Sequence, residues 1–310
     1  MHILSQINEA ATNDPVAFIA KAEKTYDDEI KNLAEKILSN SKIKIVLIAG
    51  PSGSGKTTTA HILKDKLICK GSFAEVVSLD HFYLEADKMP KLSNGKPDFE
   101  TVYSLDIPEI HRCFDEIIKS GKTDIPTFNF QSKKRDETPH KIDVKNGILI
   151  VEGLHGLNPV LTDKLNKNSL LKIYISANES VFDDENKRVL SSRQIRLARR
   201  MSRDYIYRAT PAAETLRLWT SVVQGEEKYL YCFKDSADLK LVTFHSFEPC
   251  IFRNIIISLL SDLPDSAENY DYIMQTKKGL ERFVPLEIDM VPETSLIREF
   301  IEGGVYEKSK

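Results

Sequence analysis

The chain has 310 residues, of which 41% are hydrophobic and 29% charged, with a net charge of −3. That length suits one large α/β domain with extensions or two modest domains, and the composition is that of an ordinary globular protein. It excludes collagen-like and low-complexity chains, and a balance this near neutrality advertises neither nucleic acid nor an anionic membrane as partner.

The four cysteines, Cys69, Cys113, Cys232 and Cys250, form no CxxC pair, so free thiols in a reducing compartment are expected. The opening MHILSQINEAATNDP has no basic stretch followed by an apolar core. The longest apolar run, Ile251 to Leu263, is interrupted by Arg253, Asn254 and Asp262. Neither a secretory signal nor a membrane span is read, and a cytoplasmic location is expected.

In residues 1–40, Asp14 can cap a helix that has Pro15 at its first position. Ile30, Leu33, Ile37 and Leu38 then recur at helical spacing. This predicts a helical amino-terminal extension, packed on the main domain or on a partner. From Ile43 onward, short apolar runs alternate with helical stretches. Ile43–Ala49, Ala74–Leu79, Gly147–Val151, Leu170–Ser176 and Leu239–Phe244 read as buried strands, with helices around 57–69, 107–120, 155–166 and 189–207. The alternation predicts a doubly wound α/β domain over 41–264, built on a mostly parallel five-stranded sheet of the P-loop NTPase type. Two polar stretches, Leu84 to Pro108 and Thr123 to Lys145, read as long loops of the kind that carry function. Residues 265–310 read as an appended tail with a helix near its end.

Ligands of such sheets lie beyond the carboxyl ends of the strands. There the chain reads Gly50-Pro51-Ser52-Gly53-Ser54-Gly55-Lys56-Thr57, a full G-x-x-x-x-G-K-[ST] match between a predicted strand and a predicted helix. Glycines let the backbone curl so that successive N–H groups face a phosphate, helped by the helix amino terminus. Lys56 bridges the β- and γ-phosphates and Thr57 offers a hydroxyl to Mg²⁺. The nucleotide-binding set is Gly50, Ser52, Gly53, Ser54, Gly55, Lys56, Thr57 and Thr58. A guanine-reading NKxD is absent, since Asn166-Lys167 is followed by Asn168-Ser169.

The second strand ends in Ser78-Leu79-Asp80-His81-Phe82-Tyr83. A carboxylate there can take a proton from an attacking hydroxyl, so Asp80 is read as the catalytic base and as a neighbour of the metal. Glu152 closes the next strand, where an acidic residue holds Mg²⁺ or its water. His155 is read as a packing residue. In SRQIRLARRMSRDYIYR, Arg196, Arg199 or Arg200, and Arg203 share a helix face on which Asp204 is the one acid. Such a face could close over a triphosphate and neutralise the transferring group.

With GPSGSGKTT, VVSLDHFY, DFETVYSLD, IPTFNFQSKKR, ILIVEGLHGLNP and RLARRMSRD in this order, residues 43–245 resemble the phosphoribulokinase/uridine kinase family of P-loop kinases. WTSVVQGEEKYLY and SLIREFIEGG extend the likeness to its uridine-kinase-like branch. The resemblance implies NTP- and Mg²⁺-dependent phosphorylation of a small-molecule hydroxyl. It matches Asp80 to the catalytic aspartate, Tyr83 to the acceptor site, and Arg200, Arg203 and Arg208 to basic lid positions. Glu100, or Asp98 in a shifted alignment, matches the acid that holds ribose hydroxyls. Where authentic uridine kinases present a tyrosine and a histidine to the base, this chain has Phe128 and Lys133, and it keeps Phe130. Phe128 can stack but not donate, and Lys133 donates but cannot accept. Uridine is therefore expected to be a poor acceptor, and an aromatic wall with Lys133 or Arg135 reaching in would suit a ring-containing or anionic one. A sugar or hydroxy-acid kinase and a regulatory P-loop module are the alternatives, and a homo-oligomer is left open.

Overall fold

A computed structural model describes residues 2–92, 95–129, 132, 134–261 and 263–307. Its centre is a sheet of five parallel strands: β1 (Ile45–Ala49), β2 (Ala74–Ser78), β3 (Ile148–Glu152), β4 (Leu170–Ser176) and β5 (Leu239–Val242). Their spatial order is β5-β4-β1-β3-β2. The central strands β1, β3 and β4 were legible as apolar runs because strands covered on both faces leave little room for polar residues, whereas edge strand β5 alternates half-buried Leu239 and Leu241 with exposed Lys240 and Val242.

Alternate side chains of β1 feed two separate cores. Val46 and Ile48 join the larger one, with α2 (Pro15–Leu38), α3 (Lys56–Cys69), α5 (Ser192–Arg208) and α7 (Glu248–Leu259). Ile45 and Leu47 join the other, with Ile110, Phe114 and Ile117 of α4 (Ile107–Ser120). The remaining helices are α1 (Leu4–Asn13), α6 (Ala212–Tyr229) and α8 (Tyr270–Leu280). Among the described residues no helix is long and apolar enough to cross a membrane.

Four expectations are corrected. Residues 155–166 form no α-helix: Gly156 and Pro159 interrupt it, and Asn158 caps only a short 3-10 turn, Pro159–Leu161. The stretch 123–145 is not plain loop, because Lys122–Ile125 pairs with His140–Asp143 and Phe128–Asn129 with Lys134–Arg135. The helix expected near the chain end is a 3-10 turn, Leu296–Phe300, capped by Ser295 and soon followed by left-handed Gly303. Helices α6, α7 and α8 were not anticipated; in α7, Ile251, Phe252 and Ile256 read as one apolar run without clear period.

The amino-terminal pair forms as its caps dictate. Asp14 accepts from the Ala17 N–H at 2.9 Å, and Pro15 opens α2. Helix α2 buries Ile19, Tyr26, Ile30, Leu33 and Ile37, and the Tyr26 hydroxyl bonds to Thr59 of α3 at 2.7 Å.

Beside Tyr26, Glu23 accepts from the Ser295 hydroxyl at 2.5 Å, and desolvation pushes its pKa up to about 7, against the Ser295 hydrogen bond and with Asp27 adding. An acid whose folded pKa exceeds its unfolded value binds more protons when folded, so its contribution to stability declines as pH rises from 4.5 toward 7. Glu23→Gln is expected to be more stable than the parent at pH 8, by up to about 3 kcal/mol, and to match it near pH 4.5. Urea unfolding at both values checks this; a difference independent of pH would show that burial does not perturb Glu23.

Candidate functional site

Parallel register levels three strand ends. Ser78 of β2 stands opposite Glu152 of β3, and Glu152 stands opposite Ile48 of β1. The loop after β1, the turn after β2 and the last residue of β3 therefore open at one end of the sheet, beyond the carboxyl ends of its strands.

Beyond β1, Gly53 and Gly55 take left-handed backbone, φ 73° and 82°, which glycine adopts without penalty. A Cβ on Gly53 would lie 2.8 Å from the Arg196 carbonyl oxygen, so α5 backs directly onto this loop. Gly55 is the N-cap of α3, and such a curl into a helix start presents backbone N–H groups to an anion. Lys56 and Thr57 are half-buried, and the Lys56 ammonium donates to the Pro51 carbonyl at 3.3 Å. Ser54 is fully buried, with no hydrogen-bond partner for its hydroxyl among the described residues.

Asp80 sits in a 3-10 turn, Leu79–Phe82, whose start the Ser78 side chain caps. Water reaches Asp80, yet surrounding protein crowds it. Desolvation raises its carboxyl above the usual range, against the pull of Lys56, His81 and Arg208. Glu152 is 6% exposed. Desolvation pushes its pKa up to about 7, opposed by Lys56 and by a Ser78 hydrogen bond and reinforced by Asp80. Lys56, Asp80 and Glu152 thus share one field.

Helix α5 starts from a capping box in which Ser191 and Gln194 satisfy each other's backbone. Apart from Arg193, which pairs with Glu227 at 2.9 Å on the surface, its arginines divide into two sets, which corrects the single cationic face. Arg196 is buried in a fork with Glu226 at 2.8 and 2.9 Å and donates to the Ser52 carbonyl at 3.0 Å. Arg199, fully buried, pairs with Glu248 at 2.6 and 2.9 Å and donates to the Gly53 carbonyl at 3.1 Å. Both brace the loop and are neutralised by acids from distant segments; removing one partner of such a pair leaves a buried unpaired charge. The second set converges on buried Asp204: Arg200 at 3.2 Å, Arg203 at 2.9 Å and Arg208 at 3.2 Å. Arg200 also donates to the Ser52 hydroxyl at 2.8 Å.

On the acceptor side, the Tyr83 ring packs against Phe99 and Phe128 at 5.6 and 5.7 Å, and its hydroxyl donates to the Phe99 carbonyl at 3.0 Å. Phe128 is buried. Asp98 accepts from the Glu100 N–H at 3.0 Å. Burial raises the Glu100 carboxyl, tempered by Arg200, while Asp98, Glu226 and Asp80 add to the rise. Arg135 differs from expectation: its guanidinium is spent on Asp106 at 3.0 Å and on the Tyr83 and Phe82 carbonyls, both at 3.2 Å. It ties the hairpin to the turn after β2 instead of reaching toward an acceptor. Phe130 and Lys133 lie outside the described residues.

Sequence reasoning missed the partner acids Glu226 and Glu248, Phe99 in the wall, and the surroundings of His155. That imidazole is 4% exposed. It lies 6.0 Å from the Tyr229 ring. Desolvation lowers its pKa to about 4, with the Glu100 backbone and Asp98 pulling the other way. Its place one turn beyond Glu152 was the available signal.

The residues present suit Mg²⁺. Thr57, Asp80 and Glu152 are hard oxygen donors, and Mg²⁺ is ordinarily held by one or two carboxylates, waters and substrate phosphates. Among the described residues no group of three or more His, Cys, Asp or Glu side chains could hold a metal by itself.

Residues 45–245 match the family model described as Phosphoribulokinase / Uridine kinase family. The chain is 29% identical over 185 residues to a uridine kinase of Schizosaccharomyces pombe, a match covering 59% of this chain but 36% of that protein. It is 26% identical over 198 residues to a uridine kinase of Mycoplasma genitalium, covering 64% of this chain and 84% of the relative. Among solved structures, a D-glycerate 3-kinase of Cryptococcus neoformans is 14% identical with a TM-score of 0.45, over 66% of this chain and 89% of that one. The family model spans more than half of the chain and includes the loop after β1, Asp80, Glu152 and the arginines of α5. The chain belongs to the phosphoribulokinase/uridine kinase family.

Proposed function

We propose that this protein transfers the γ-phosphoryl group of ATP, or another nucleoside triphosphate, to a hydroxyl of a nucleoside-like small molecule. The observation that carries this reading is the shared field of Lys56, Asp80 and Glu152 at the level ends of β1, β2 and β3. In this account the backbone of Gly50–Thr58 and the Lys56 ammonium bind the phosphates. Mg²⁺, held by Thr57 with Glu152 and Asp80 directly or through water, would offset the triphosphate's charge.

Asp80 accepts the acceptor's hydroxyl proton as that oxygen bonds to the γ-phosphorus. The bond from phosphorus to the β–γ bridging oxygen breaks, and the diphosphate leaves with its electron pair. Crowding favours this role, since a raised carboxyl pKa brings the base closer to neutral pH. Arg200, Arg203 and Arg208, fanned from Asp204, supply positive charge as the group transfers.

The acceptor class follows from the other wall. Asp98 and Glu100 are acceptors for vicinal hydroxyls, and a flat ring can lie against Tyr83, Phe99 and Phe128. This composition favours a ribose-bearing acceptor over a hydroxy acid, whose carboxylate would meet those acids. Turnover on a series of ribonucleosides, sugars and hydroxy acids tests the class. The expected result is highest kcat/KM on a ribonucleoside other than uridine; highest kcat/KM on a hydroxy acid would overturn it.

A further inference from the structure

The closing segment of the chain lies on the phosphate loop. After Ser295, the turn Leu296–Phe300 sets the Leu296 side chain against Gly55, where a Cβ would stand 2.8 Å from Leu296 Cδ1. Three residues on, the Glu299 carboxylate accepts from the Thr58 hydroxyl at 2.7 Å and from the Thr58 backbone N–H at 3.3 Å, both through Oε2. The same segment is fixed to the arginine helix: the Ser202 hydroxyl donates to the Phe300 carbonyl at 2.6 Å, and the Arg199 guanidinium lies 5.1 Å from the Phe300 ring centre. Glu299 is 7% exposed.

Thr58 is the third residue of α3, so its N–H is one of the four first-turn donors without an intrahelical partner. Those donors, with the loop before them, are what a P-loop offers to phosphate. A carboxylate placed there gains from the same donors and the same helix field. Two anions cannot share that position without strong repulsion at such distance. Leu296 against Gly55 places the segment at the loop itself, not merely along the flank of α3.

We propose that Glu299 is a residue of the nucleotide site, supplied from the far end of the chain, whose carboxylate stands in for a nucleotide phosphate at Thr58 and must give way when nucleotide binds. Segment 295–301 then sets nucleotide affinity: whatever loosens it tightens binding, and whatever holds it down weakens binding. The proposal rests on the nucleotide reading of the P-loop above.

Calorimetry of MgADP binding to the full chain and to Glu299→Gln and Glu299→Ala tests it, with thermal melting as a check that each is folded. Loss of the competing charge is expected to tighten MgADP binding at least about tenfold in both variants. Hydrogen exchange on the parent protein gives a measurement that needs no variant: saturating MgADP is expected to speed exchange at Ile297, Arg298 and Ile301, whose N–H groups are bonded within the segment. Equal or weaker binding by folded variants would show that Glu299 only caps α3 and would overturn the proposal, as would unchanged or slower exchange on nucleotide binding. MgADP binding by none of the proteins would instead overturn the nucleotide reading, and the proposal with it.

Discussion

Asp80→Asn is expected to lower phosphoryl transfer at least about 100-fold while nucleotide binding persists. The amide keeps the size and most contacts of the carboxylate but cannot take a proton. Nothing else at the end of β2 replaces it: His81 lies next to Asp80, and desolvation lowers its pKa first of all, making it a poor proton store. Loss of charge also relieves Glu152, whose raised pKa Asp80 reinforces, so metal dependence is expected to shift slightly toward lower pH. Single-turnover rates alongside nucleotide titration separate the two effects. Near-parental rates on a good acceptor would show that Asp80 is not the base.

Lys56→Ala has the largest expected effect on the nucleotide. A charge-assisted bond to phosphate of this kind contributes about 1.5–3 kcal/mol. Its loss should weaken ATP binding roughly 10- to 100-fold by that measure. The rate should fall as well, because the ammonium follows charge onto the transferring group. Lys56 also offsets the raised pKa of both Asp80 and Glu152. Removing it should push both carboxyls further up, so the variant's residual activity should rise at higher pH than the parent's. Equal ATP affinity for parent and variant would contradict this placement of Lys56.

The fold was legible where the chain obeys simple periodicity. Ile45–Ala49 and Ile148–Glu152 are buried throughout, and a strand covered on both faces has to be written as a continuous apolar run. Asp14 and Pro15 announced α2 for the same kind of local reason. The segment 155–166 misled because its apolar residues keep helical spacing while Gly156 and Pro159 deny the backbone a helix.

The candidate site was legible in its motif and illegible in its bracing. Gly50–Thr57 stands out because left-handed backbone at Gly53 and Gly55 restricts residue choice. Nothing local reveals that Arg196 and Arg199 are consumed by Glu226 and Glu248, 30 and 49 residues away. A count of acids along the helix found only Asp204, and buried partners arrive from tertiary packing. Arg135 misled likewise, since Asp106 and the Phe82 and Tyr83 carbonyls meet it only once the hairpin forms. Glu299 lies 241 residues from Thr58, beyond any pattern a window of sequence can hold.

Phosphoryl transfer to a hydroxyl is tested by following the phosphorus. The purified chain, incubated with Mg²⁺, ATP labelled at the γ-phosphate and a panel of ribonucleosides, should place label in an acid-stable phosphate monoester, matched one for one by ADP and abolished in Asp80→Asn. Label released only as inorganic phosphate with every acceptor tried, at a rate indifferent to Asp80, would contradict it.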